Sequence, residues 1–270
     1  MLTIKQLADI ERLQQECETY DNVQLKLNWD MLEARDSDRL DFFQYENDEL
    51  VAFLGLYPFG STVEGCGMVK PSERRRGHFQ RLFKLAMERI EQSGYKTVLL
   101  NAPAGSVSGK AFMSKQRASY AFSEYQMEWQ PAPIEPFEAV HLRLTTDDDY
   151  EMRVRLSVTA FGLDEEDARA MEGIAFAAGT DTFMIVVEGN AVGKIRVSRT
   201  DGQAWIYGFS ILPEHQGQGI GRRTLRQVVM EQASAGYSVH LEVETKNDQA
   251  LGLYESVGFK VVHAQDYYRL

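Results

Sequence analysis

A chain of 270 residues with a 44% apolar share is long enough for two ordinary domains and can bury a real core. Its formal net charge of -11 argues against a general nucleic-acid binder. Two cysteines, Cys17 and Cys66, supply neither a disulfide framework nor a metal cluster. Met1 to Lys5 becomes charged before any long apolar segment, so the reading is a cytoplasmic chain without signal peptide or membrane span.

In chain order, helical material is expected from Ile4 to Tyr20, then strands over Leu40–Tyr45, Leu50–Leu56 and Val63–Val69. A turn around Gly77 leads into a helix over Gln80–Ile90. There Leu82, Phe83, Ala86, Met87 and Ile90 recur at buried-face spacing. Thr97–Asn101 reads as a strand. The stretch from Pro131 to Pro136 holds three of the seven prolines and disfavours continuous helix. It sets the expected boundary between domains 1–133 and 134–270.

Beyond it, His141–Leu144 reads as a short strand, with helices over Asp149–Phe161 and Glu165–Ala177. Strands Thr182–Glu188 and Ala191–Val197 flank a Gly189–Asn190 turn, and Asp201–Gly202 marks another. Strand Ala204–Leu212 ends at Pro213. Gln216–Gly217–Gln218–Gly219–Ile220–Gly221 then opens a helix running to Ala235. A glycine-spaced turn at a helix N-terminus presents backbone N–H groups to a phosphate. Strand Val239–Val243, helix Asp248–Ser256 and strand Phe259–His263 follow, with Tyr267–Leu270 expected to complete a last hairpin.

The halves repeat one another. Pro71, Arg74 and Gly77 have the spacing of Pro213, Gln216 and Gly219. Gly94–Tyr95 stands as far beyond Gly77 as Gly236–Tyr237 does beyond Gly219. Ala111 and Tyr120 match Ala250 and Phe259 if the first half has a longer loop around Ala102–Ser108. On that alignment Lys115 falls at Tyr254 and Ser119 at Gly258.

The Pro213–Gly221 segment, followed by Leu241–Glu242–Val243, Asn247, Ala250, Leu253–Tyr254 and Gly258–Phe259, resembles the signatures of the GCN5-related N-acetyltransferase (GNAT) superfamily. A P-loop would need Gly-Lys-Ser or Gly-Lys-Thr, absent here. A dinucleotide fold would place the loop after its first strand. The resemblance implies an α/β fold: tandem acyl-CoA N-acyltransferase domains, each a mixed, largely antiparallel sheet flanked by helices. It implies acetyl-CoA held between two splayed parallel strands. Ile211 and Leu212 would then meet the pantetheine arm. Gln216, Gly217, Gln218, Gly219, Ile220 and Gly221 would hold the pyrophosphate, and Asn247 would contact the cofactor. Tyr254 would be the general acid for the departing thiolate. Arg222 and Arg223 each read as a phosphate contact or as a solvated helix face. Asn247 also reads as a helix N-cap.

The implied reaction is direct attack of a primary amine on the thioester. Glu242 and Glu244 share a strand face and are the nearest candidates for its base. Tyr207, His215 and His240 are weaker ones, and no metal is implied. The first half departs from the pattern, with Arg75 and Phe79 at the positions of Gly217 and Gly221. It reads as a non-catalytic partner domain. The acceptor is a small-molecule or peptide amine, such as an aminoglycoside, a polyamine or a protein N-terminus. The donor group is acetyl or a larger acyl. The expected state is monomer or homodimer. The alternative is a non-catalytic CoA-binding or regulatory protein.

Overall fold

A computed structural model describes residues 1–36, 39–131, 136–173 and 179–270. It divides into two compact units, one of Met1–Ser123 with His263–Leu270 and one of Glu124–Val262. The expected boundary at 133/134 and the end of the Glu165–Ala177 helix lie outside the described residues. The two compact units change over within two strands, β5 (Ser119–Trp129) and β11 (Phe259–Arg269).

The first unit begins with α1 (Ile4–Asp21). Thr3 starts it through a reciprocal capping box: its Oγ1 accepts from Gln6 N at 3.1 Å while its own N–H donates to Gln6 Oε1 at 2.9 Å. A short α2 (Trp29–Glu33) precedes β1 (Asp41–Glu46), β2 (Glu49–Phe59) and β3 (Thr62–Val69), which pair antiparallel. After α3 (His78–Ser93), β4 (Thr97–Pro103) pairs parallel to β3 and antiparallel to the end of β11. α4 (Val107–Lys115) follows. Ile10, Leu13 and Cys17 of α1 pack with Phe53, Tyr57 and Met68. Leu82, Ala86 and Ile90 of α3 pack with Leu54, Leu56 and Val63. β2 is buried almost throughout, with Phe53 and Tyr57 under α1 and Leu54 and Leu56 under α3, so helices cover both faces of the sheet.

The second unit repeats this order: β6 (His141–Leu144), α5 (Tyr150–Phe161), α6 (Glu165–Glu172), β7 (Thr180–Val187), β8 (Asn190–Thr200), β9 (Gln203–Ile211), α7 (Ile220–Ser234), β10 (Ser238–Glu244) and α8 (Asp248–Val257). β6 to β9 pair antiparallel in sequence order, β10 lies parallel to β9, and residues 124–128 of β5 run antiparallel to β10. Leu225, Val228 and Val229 of α7 bury against Val197, Ile206, Val239 and Leu241. Each such side chain contributes about 1.5–3 kcal/mol of gross transfer energy.

Three local expectations change. The β7–β8 turn centres on Glu188–Gly189, both with positive φ, because Val187 pairs with Asn190. The C-terminal segment is one continuous strand, β11, and makes no hairpin. The loop after β4 is no longer than its counterpart. Ser106 caps α4 by accepting from Gly109 N at 3.1 Å, as Asn247 caps α8 by accepting from Ala250 N at 3.1 Å. Arg117 and Gly258, at matching places beyond these caps, are both left-handed, with φ of 57° and 108°. The structural counterpart of Tyr254 is therefore Met113, and that of Gly258 is Arg117. The spacing match at Ala111 and Tyr120 had shifted Lys115 and Ser119 into those places.

No helix among the described residues is long and apolar enough to cross a membrane.

Candidate active site

β9 and β10 pair only from Gln203↔Ser238 to Ile206↔Leu241. Past that point the ladder stops, though β9 continues to Ile211 and β10 to Glu244. A bulge accompanies the parting. Lys194 of β8 faces Ser210 and Arg196 faces Tyr207, so Gly208 and Phe209 together oppose one residue. Gly208 has φ +55°, a conformation that glycine adopts at little cost. Beyond Ile206 the β10-facing edge of β9 has no ladder partner beside the gap.

The gap opens into a cleft of about 1220 Å³. One 3₁₀ turn, Pro213–His215, leads from β9 into the glycine turn. Gly217 and Gly219 are left-handed, at φ +73° and +76°, and nothing lies within 4 Å of where a Cβ would sit on either. The first N–H groups of α7 have no partner inside their own helix. With the positive end of the helix dipole they form an anion seat. Gln216 braces the turn, its Nε2 donating to Ile211 O at 2.8 Å. Gln218 Nε2 donates to Glu214 O at 3.1 Å, holding that side chain to the turn.

Of the residues singled out in the sequence, Ile211, Gln216, Gly217, Gly219, Ile220, Gly221, Arg222, Glu242, Glu244, Asn247 and Tyr254 all line this cleft. Leu212 does not. Its N–H donates to Val192 O at 2.9 Å, and its side chain packs with Leu156, Met184 and Val186. The two arginines also separate: exposed Arg222 lines the cleft, while Arg223 pairs with Glu138 at 3.1 Å. His215 lines the cleft. His240 is buried elsewhere, stacked on Trp205 at 4.9 Å, and burial lowers its pKa.

Tyr254 rides on α8, capped by Asn247 and closed by Gly258. Trp129 Nε1 donates to Val257 O at 3.0 Å and steadies the helix end. Burial pushes the Tyr254 hydroxyl up to about 12, so it stays protonated at neutral pH and remains a proton donor.

Glu124 also belongs to the site and escaped the sequence reading. It lies directly opposite Glu244 in the β5–β10 ladder and lines the cleft. No local pattern marks it, because its neighbour is far away along the chain. Gly208, by contrast, did carry a signal: a lone glycine inside a strand pattern points to a bulge. Behind the cleft, buried Lys194 donates to Glu172 of α6 and, at 2.6 Å, to Ser157 of α5. Glu172 also meets Arg196 at 3.3 Å. Burial pushes the Glu172 carboxyl up, but Lys194 and Arg196 outweigh it and hold the group below its ordinary value. This cluster pins α5 and α6 to β8. Among the described residues no cluster of acids, histidines and cysteines could hold a metal.

The first unit repeats the frame without the fittings. β3 and β4 also part, after Gly65↔Leu100, but β2–β3 pairing is regular through the matching stretch, so no bulge forms. Arg75 takes the left-handed place of Gly217 at φ +65°. Phe79 replaces Gly221, and its ring sits edge-on to Phe112 at 4.8 Å. Arg74 is clamped to Asp21 by two bonds of 2.8 and 2.7 Å, and Arg76 pairs with Glu73 at 2.8 Å. Two of the three basic side chains are thus engaged by the unit's own acids.

The model of the acetyltransferase (GNAT) family matches residues 4–108 and again 144–259. The chain belongs to this family. Among curated GNAT relatives, the N-alpha-acetyltransferase RimI of Mycobacterium tuberculosis is 46% identical over 66 residues, 24% of this chain and 40% of that protein. The [ribosomal protein bS18]-alanine N-acetyltransferase of Escherichia coli is 36% identical over 58 residues, 21% of this chain and 39% of that enzyme. The chain thus spans about two fifths of either relative. Similar folds over nearly the whole chain include a GCN5-related N-acetyltransferase from Sphaerobacter thermophilus, with TM-score 0.74, 20% identity and coverage of 97% of this chain and 91% of that one. A tandem GNAT protein of the clavulanic acid pathway has TM-score 0.68, 16% identity and coverage of 98% and 94%. These establish a tandem GNAT fold.

Proposed function

We propose that the second unit transfers an acetyl group from acetyl-CoA to a primary amine by direct attack. The observation that carries this reading is the convergence of three features on one cleft: the parted ends of β9 and β10, the α7 glycine turn, and protonated Tyr254. The residues present suit the donor. Gly217 and Gly219 leave open space where side chains would stand over the N–H groups. Gly221 backs closely on Ile211 and Leu253, 3.3 and 3.5 Å from its absent Cβ.

The amine nitrogen forms a bond to the thioester carbonyl carbon, and the carbon–sulfur bond breaks. A backbone N–H near Ile211, at the parted end of β9, stabilises the developing oxyanion in this reading. Tyr254 gives its proton to the leaving thiolate and regains one from the amine side through solvent. Glu242 and Glu244 line the same cleft and are our candidates for taking the ammonium proton. Asn247 serves first as the cap of α8 and, from the cleft wall, as a contact for the cofactor arm.

The acceptor we favour is a cationic amine, with a peptide N-terminus first. Glu124, Glu242 and Glu244 give the cleft an acidic wall, and among the curated relatives one is named an N-alpha-acetyltransferase and another a [ribosomal protein bS18]-alanine N-acetyltransferase. The test is release of free thiol from acetyl-CoA across a panel of N-terminal peptides, polyamines and aminoglycosides. Saturable acceptor-dependent release supports transfer. Saturable acetyl-CoA binding without release across the panel replaces this reading with that of a CoA-binding regulatory protein.

A further inference from the structure

The first unit holds a cavity of its own, about 500 Å³, where β3 and β4 part. Its walls include Met68, Phe79, Leu100, Phe112 and Met113. Asn101 lines it too, on β4 one residue beyond the last β3–β4 pair. Asn101 is 3% exposed, and neither its Nδ2 nor its Oδ1 has a hydrogen-bond partner among the described residues. A buried carboxamide with both ends unpaired is costly to keep for packing alone. Polar residues including Arg75, His78 and Lys115 also line the cavity, but its surface is mainly apolar, and a mainly apolar cavity with a few polar groups is the usual form of a small-ligand site.

We propose that the first unit binds a compact neutral amphiphile: an aliphatic or aromatic body carrying a carboxamide head. The head pairs with Asn101, whose N–H donates to the ligand carbonyl while its Oδ1 accepts from the ligand amide. The body lies against Met68, Phe112 and Met113. The site has diverged from a cofactor cleft. The Phe79 ring stands where Gly221 leaves room in the second unit, and it lies against Gly67 so closely that a Cβ there would be 2.7 Å from Cε2. Met113 replaces the proton donor, and Arg75 brings a side chain into the turn that Gly217 keeps bare. What remains is a smaller, mainly apolar cleft that still reaches the Arg74–Gly77 turn. This inference rests on first-unit geometry and is independent of catalysis in the second.

Hexanamide and benzamide are the probes, against hexane-1-thiol and toluene as bodies without the head. Ligand-observed NMR titration of the full chain is expected to show saturable binding of the amides, undisturbed by excess acetyl-CoA. Asn101→Leu is expected to weaken amide binding at least tenfold. It is also expected to raise the urea midpoint of the unliganded chain, because an unpaired polar group is replaced by an apolar one of similar size. A merely structural asparagine would lower that midpoint. Crystals of the unaltered chain soaked with hexanamide give a reading that survives a failure of the variant to fold. Density for the amide beside Asn101 supports the site. Absence of saturable binding, equal binding of the headless probes, or displacement by acetyl-CoA overturns it.

Discussion

Glu124 and Glu244 stand directly opposite each other across the β5–β10 ladder, both on the wall of the second-unit cleft. Two like charges at paired strand positions gain nothing from one another. They do create a negative potential where an ammonium group would enter. Glu124→Gln is expected to raise the acceptor KM about fivefold, the value of roughly 1 kcal/mol for a solvent-screened charge contact, with kcat within about twofold. Added salt should raise KM more in the unaltered protein than in the variant. Steady-state kinetics at two ionic strengths measures both, and an unchanged KM at low salt removes Glu124 from acceptor recognition.

Tyr254→Phe is expected to slow the acceptor-saturated rate by about 10²–10⁴, the usual range for a general acid, while acetyl-CoA affinity stays within about threefold. Because burial raises the Tyr254 hydroxyl to about 12, no loss of rate from its ionisation should appear below about pH 10. The same shift bears on stability. A folded-state value above the ordinary 10 adds stability that is whole below pH 10 and is lost as pH rises towards about 12. Thermal melts from pH 9 to 12 should fall less steeply with pH in the phenylalanine variant.

Gly221→Phe copies Phe79 into the second unit. The new ring must displace Ile211 and Leu253, which already lie 3.3 and 3.5 Å from the missing Cβ. Acetyl-CoA binding by calorimetry is expected to fall by at least 100-fold, with α7 intact by circular dichroism. Retained binding would show that Phe79 is not what separates the two clefts.

Glu172→Gln breaks the buried cluster with Lys194 and Arg196. Removing one partner of such a group costs about 3–5 kcal/mol, because the remaining charges stay buried. A urea titration should show the loss as a lower midpoint at unchanged slope. Since Glu172 ties α6 to β8, acceptor kinetics should suffer more than acetyl-CoA binding.

Much of this was legible along the chain, because the signals were local. The Gly217 and Gly219 spacing announced left-handed turns. Asn247 announced a cap, and Pro213 announced the end of β9. The repeat was legible as well, though the register after Ser106 was not. Side-chain type at Lys115 and Ser119 resembled nothing useful, while the caps that fix the alignment are hydrogen bonds.

By itself the sequence determined the tandem family fold, the glycine turn before α7 and the unequal fittings of the two halves, since these depend on residue types at short spacing. Only the tertiary structure decided that residues 124–128 of β5 pair with β10 and that Leu212 turns from the cleft while Arg222 faces it. It alone showed that Met113 stands for Tyr254 and that Asn101 is buried without a partner. Strand pairing joins residues far apart in the chain, and burial depends on what packs from every side. Neither leaves a mark in local spacing.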